Sequence, residues 1–118
     1  MNQSLDLSEQ LRRPDFHSND AVSLVSEFFG IDGTARELPG ERDRNFLIQQ
    51  SKGQRFVLKI FNQCESKELL EIQNEALTKT LNVLGSGRAP NLLVNQNNDF
   101  LTKIESKTEI QHWLRLVS

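Results

Sequence analysis

One lysine stands out among the side chains able to do chemistry. Lys59 lies in the run Arg55-Phe56-Val57-Leu58-Lys59-Ile60-Phe61. In an extended chain Phe56, Leu58 and Ile60 point to one face, and Val57, Lys59 and Phe61 to the other. Both faces are apolar except at Lys59, which predicts a central strand covered on each side. An ammonium on such a strand has two options. Its stem packs while its head snorkels to water, or an anion holds it, because an unpaired buried charge is strongly destabilising. The second feature is the loop Pro39-Gly40-Glu41-Arg42-Asp43-Arg44-Asn45, between two predicted strands. Gly40 lets the backbone approach a ligand closely, and successive N–H groups there can form an anion nest. Four consecutive charged residues also read as an ordinary solvated turn, and the segment is neither a GxGxxG loop nor a Walker A motif. Strand–loop–strand with a lysine on the next strand is nevertheless a layout in which a loop covers nucleotide phosphates and a lysine reaches them from beneath.

The helix expected after that strand can supply the anion. Glu68, Glu71 and Glu75 are spaced by three and four residues and share one side of it. They form either a solvated acidic stripe or the source of a partner for Lys59.

The elements that must position these groups follow from periodicity. Polar, aperiodic residues 1–17 predict a flexible N-terminal arm, with Leu11 and Phe16 able to dock on the body. Ser18 or Asn19 can cap a helix over 19–29, whose Ala21, Leu24, Val25 and Phe28 follow helical spacing and which Gly30 ends. Thr34–Leu38, Phe46–Gln50 and Arg55–Phe61 read as strands, the last two joined by a hairpin turn containing Gly53. Helical spacing returns over 66–84, with Leu69, Ile72, Ala76 and Leu77 on one side, extended by Leu81 and Leu84, and stops at Gly85-Ser86-Gly87. Leu92-Leu93-Val94 is a short extended piece after Pro90, and Asn95–Asp99 is rich in turn formers. Phe100–Glu105 and Ile110–Val117 read as a last pair of strands. The expected fold is α+β: an N-terminal helix and an antiparallel sheet of about five strands, with one helix inserted after the third.

Composition removes several function classes. The 118 residues carry 14 Lys and Arg against 16 Asp and Glu, for a net charge of −2. That gives no electrostatic footprint for nucleic acid and no polybasic membrane patch. A single cysteine, Cys64, and two histidines provide neither a disulfide framework nor a metal-ligand cluster, so no metal site is expected. No apolar run approaches the roughly 20 residues of a membrane span, and the N-terminus lacks a signal-peptide core. A cytoplasmic location is the expectation.

Three stretches taken together resemble the aminoglycoside phosphotransferase superfamily, and within it the hydroxylysine kinases. They are Leu38-Pro39-Gly40-Glu41-Arg42-Asp43-Arg44-Asn45-Phe46-Leu47-Ile48, Arg55-Phe56-Val57-Leu58-Lys59-Ile60, and Leu70-Glu71-Ile72-Gln73-Asn74-Glu75-Ala76-Leu77. Gly30–Ala35 and His112–Ser118 also fit, so the likeness runs over about residues 11–118. It implies that residues 18–118 form the N-terminal lobe of a protein-kinase-like fold. Lys59 would contact the α- and β-phosphates of ATP or GTP, and Gly40, Glu41, Arg42, Asp43, Arg44 and Asn45 would form the loop over them. Helix 66–84 would correspond to the kinase C-helix, with Glu71, Glu75, Gln73 or Asn74 as the partner of Lys59. Two positions depart from the family pattern. A serine is usual where Gly40 stands, which removes a hydroxyl contact. A small residue is usual where Glu75 stands, which weakens the case for Glu75.

The same likeness implies an incomplete machine. The proton-accepting aspartate and the Mg²⁺ ligands of these kinases lie in a C-terminal lobe, in a His-x-Asp-x-x-x-x-Asn segment and a later Asp. Here Trp113-Leu114 follows His112 and no such segment exists. These 118 residues are therefore expected to be the N-terminal piece of a longer phosphotransferase, with no catalytic residue of their own and no activity alone. The acceptor would be an amino-alcohol, hydroxy-amino acid or aminoglycoside-like molecule. Similar regions also occur fused ahead of pyridoxal-phosphate-dependent class III aminotransferases. The alternative is thus a non-catalytic regulatory or assembly domain of such a fusion, with pyridoxal phosphate bound downstream. In either case the exposed lobe interface is expected to favour self-association.

Overall fold

The computed structural model describes residues 12–84 and 91–118. Leu11, most of the expected arm, Pro90 and the Gly85-Ser86-Gly87 stop lie outside the described residues, as do the side chains of Leu81 and Leu84. Helix α1 spans Ser18–Phe29, followed by strands β1 (Thr34–Leu38), β2 (Arg44–Gln49) and β3 (Arg55–Ile60). Helix α2 (Lys67–Leu84) comes next, then β4 (Thr102–Glu105) and β5 (Gln111–Val117). The five strands form one sheet in the order β1-β2-β3-β5-β4, with every neighbouring pair antiparallel. This is the expected α+β architecture, with the lysine strand at the centre. Among the described residues no helix is long and apolar enough to cross a membrane.

One face of the sheet is sealed. Phe46 and Ile48 of β2, Leu58 and Ile60 of β3, Ile104 of β4, and Leu114 and Leu116 of β5 form a buried core with Ala21 and Val25 of α1. Phe16 docks into the same core, and Pro14 beside it is buried. His17, rather than Ser18 or Asn19, is the boundary residue of α1. Its backbone N–H donates to the Asp20 carboxylate at 2.7 Å, and its carbonyl accepts from Ala21. Extended φ and ψ at His17 leave Ser18 already helical, so the cap falls one residue earlier than the side-chain types indicate. Gly30 ends the helix in the left-handed conformation, with φ of 67°.

The other face is only partly covered, which corrects the expectation of a strand sealed on both sides. Val57 and Lys59 are half-buried, while Phe61 is buried. Helix α2 lies over this face, but not by the stripe that helical spacing selects. Leu69 and Ile72 are 45% and 63% exposed, whereas Leu70 and Asn74 are buried and Leu77 is half-buried. Spacing alone ranks apolar residues. It has no means of seeing that the surface under α2 carries an arginine, for which a buried asparagine is the better complement. Ser66 caps the helix, its hydroxyl accepting from the Leu69 N–H at 3.1 Å.

Candidate functional site

Strand register builds the site. Asn45 on β2, Lys59 on β3 and Arg115 on β5 are successive partners across three adjacent strands, so their side chains leave the same face. One step along, Leu47, Val57 and Val117 form an apolar row on that face. Lys59 and Arg115 share a cleft of about 540 Å³ with Asp43, Phe61, Glu65, Gln73 and Leu77. A smaller hollow of about 180 Å³ joins the two cations to Val57, Val117 and Leu77. The first cleft falls within the range of about 300–1,000 Å³ common to small-ligand sites. A larger cavity of about 830 Å³ lies between α2 and residues 95–103 and includes Trp113 but not Lys59. Neither Lys59 nor any residue of 39–45 is in its lining.

The loop between β1 and β2 reaches this cleft through Asp43 and is fastened by polar contacts. Asp43 Oδ1 accepts from the backbone N–H of Asn62 at 2.8 Å and from its Nδ2 at 3.0 Å. Asp43 Oδ2 lies 3.7 Å from Lys59 Nζ. The Asp43 carbonyl accepts from Arg13 Nε at 3.1 Å, and Asn45 Nδ2 donates to the Pro39 carbonyl at 3.3 Å. Gly40 is required by crowding: a Cβ there would stand 2.8 Å from the Asp43 carbonyl oxygen and 2.7 Å from Asn45 Nδ2. A serine at this position does not fit this loop conformation without movement.

The partner of Lys59 is therefore Asp43, a member of the loop. Among the described residues it is the carboxylate within ion-pair distance, and none of the helix glutamates is. Glu75 pairs with Lys79 on the exposed side of α2, at 3.2 Å. Glu71 lines the larger cavity, and Glu68 is exposed. Gln73 and Asn74 do face the sheet, but they engage Arg115. Its Nη1 donates to Asn74 Oδ1 at 2.9 Å and to Gln73 Oε1 at 3.5 Å. The other residues expected in the loop divide by role, and Arg44 and Asn45 belong to β2, where they pair with Ile60 and Lys59, so the loop ends at Asp43. Glu41 and Arg42 are exposed, whereas Arg44 binds Glu37 at 2.8 Å and donates through Nε to the Pro14 carbonyl at 2.7 Å. Arg13 also reaches Glu37, at 3.0 Å, and the two guanidinium groups, Arg44 first, hold the Glu37 carboxyl below its usual range. Arg44 thus joins the N-terminal segment to β1 and, opposite Ile60 in the register, leaves the sheet face away from Lys59.

Arg115, Phe61 and Asn62 are the site residues that sequence reasoning missed. The Arg115 guanidinium lies 5.0 Å from the Phe61 ring centroid, and Lys59 Nζ lies 5.6 Å from the same centroid. Burial lowers the Arg115 pKa, with Asp43 acting in the opposite direction. The signal for Arg115 was present in the sequence, as a lone cation among the alternating Trp113, Arg115 and Val117. Its significance needed the register with Lys59.

An α+β lobe with this sheet order, a helix over one face and a lysine on the central strand is consistent with the N-terminal lobe of a kinase-like fold. No protein-family model matches the chain. Over 79 residues it is 29% identical to hydroxylysine kinase of Danio rerio, a match covering 66% of this chain and 22% of that protein. The matched stretch thus spans about a fifth of the length of that relative.

Proposed function

We propose that this chain is the nucleotide-binding lobe of a small-molecule kinase of the aminoglycoside phosphotransferase type. In the whole protein it would serve transfer of the γ-phosphate of ATP or GTP to the hydroxyl of an amino-alcohol, hydroxy-amino acid or aminoglycoside-like acceptor. The observation that carries this reading is Lys59. It emerges from the central strand into a cleft that the β1–β2 loop reaches through Asp43, beside an apolar row. Leu47, Val57 and Val117 offer a flat apolar surface for a base, and Lys59 offers a cation for phosphates. Mg²⁺, when bound with the nucleotide, would neutralise phosphate charge, its ligands and the proton-accepting aspartate being supplied from outside this chain. The lobe by itself would bind nucleotide and transfer nothing.

Thermal unfolding with and without Mg-ATP or Mg-GTP tests the reading. Ligand at 100 times its Kd stabilises the folded form by about 2.7 kcal/mol. The expected result is a clear rise in Tm for the native chain and none for Lys59→Met. No rise at millimolar nucleotide, or an equal rise in both proteins, would overturn it.

A further inference from the structure

The pairing register sets Arg115 directly opposite Lys59. Both cations lie within 6 Å of the Phe61 ring centroid, so their charged ends converge on one patch of the cleft. Like charges directly opposite each other destabilise a sheet. The surroundings offset this only in part. Lys59 has the Asp43 carboxylate at 3.7 Å, but the hydrogen-bond partners of Arg115 are the neutral amides of Asn74 and Gln73. Glu65 lines the cleft too, yet among the described residues it makes no ion pair with either cation. Both amide bonds use Nη1, and a guanidinium carries five N–H donors in a planar fork suited to phosphate oxygens. The cleft thus holds two converging cations and two carboxylates, of which Asp43 pairs with Lys59, and among the described residues no carboxylate lies within ion-pair distance of the guanidinium.

We propose that Arg115 is a second phosphate-contacting cation of the cleft, bridged to Lys59 by a bound polyphosphate and held in place by Asn74 and Gln73 of α2. The proposal rests on the nucleotide-binding reading and adds to it a residue from β5 and a role for α2. The helix would position the arginine, while the loop supplies the anion for the lysine.

Calorimetric titration of the full 118-residue chain tests it, with sodium tripolyphosphate and adenosine as separate probes. Arg115→Met should weaken tripolyphosphate binding about tenfold or more, the usual scale for a hydrogen bond to a charged group, and leave adenosine binding unchanged. Arg115→Lys should restore most of the affinity. Asn74→Asp, which sets a carboxylate on the guanidinium in place of an amide, should also weaken tripolyphosphate binding, and it carries the test if Arg115→Met fails to fold. Native tripolyphosphate affinity in Arg115→Met, or equal losses in the Met and Lys variants, would overturn the proposal. If Lys59→Met loses binding while Arg115→Met does not, the second cation is refuted and the nucleotide site stands. If the native chain binds neither probe, both readings fall.

Discussion

Replacing Asp43 separates two forces that hold the loop at the cleft. Asp43→Asn keeps the side-chain shape, so its oxygen can still accept both hydrogen bonds from Asn62. What disappears is the charge 3.7 Å from Lys59 Nζ. At an effective dielectric constant of about 20, that separation corresponds to roughly 4 kcal/mol of Coulomb energy. The Lys59 side chain is 38% exposed, however, and solvent screening and side-chain entropy reduce such a pair to about 1 kcal/mol or less. Asp43→Ala loses the same charge and also strips both acceptor contacts from Asn62, which is only 5% exposed. Unsatisfied buried donors cost about 1–3 kcal/mol, so the alanine variant should be destabilised by about 2–4 kcal/mol in all. Urea unfolding followed by circular dichroism reads both values. With an m-value of about 2 kcal/mol/M, mid-range for a small protein, the alanine midpoint should fall by about 1–2 M and the asparagine midpoint by about 0.5 M or less. Equal midpoints for the two variants would refute the assignment of the larger share to Asn62. An alanine midpoint unchanged from native would refute the docking of the loop altogether.

Two further outcomes follow from single residues. His112 is buried between strands with Nδ1 2.8 Å from the Phe61 carbonyl, and burial holds its pKa below the ordinary 6.5, the Phe61 hydrogen bond opposing the shift. The unfolded chain therefore takes up a proton at higher pH than the folded one, and stability should decline as pH falls below about 6.5. Glu37, also lowered, adds a second loss only below about 4.5. Urea midpoints for native and His112→Gln chains between pH 7.5 and 5 check this, the glutamine variant showing the flatter profile. Gly40→Ala places a methyl group 2.8 Å from the Asp43 carbonyl oxygen and should lower stability by about 1–3 kcal/mol, as overpacking does. Thermal unfolding tests it, with an unchanged Tm counting against the crowded loop.

Much of this arrangement was legible in the residues. Alternation in Phe46–Gln50 and Arg55–Phe61 located β2 and β3 to within two residues, and Gly53 takes the positive φ expected in the turn between them. Helical spacing located both helices to within one residue at each start. Such signals are local, since each depends on residues a few positions apart whose side chains must share a face. The loop residues and Lys59 were also visible, because a charge in an apolar strand is an anomaly that sequence displays directly.

The sequence by itself determined the strands, the helices, the order of the α+β fold and the lysine on its central strand. Only the tertiary structure decided which groups that lysine meets. Three glutamates sharing one side of the following helix were candidate partners, yet Asp43 pairs with Lys59, its loop held against Asn62. Arg115 comes beside Lys59 because β5 inserts next to β3, joining residues far apart in the chain. The inward side of α2 carries Leu70 together with Asn74, which hydrogen-bonds that arginine, while Ile72 is left exposed. Periodicity is a property of neighbours in the chain, whereas charge pairing depends on distance in space, which strand order and register alone fix.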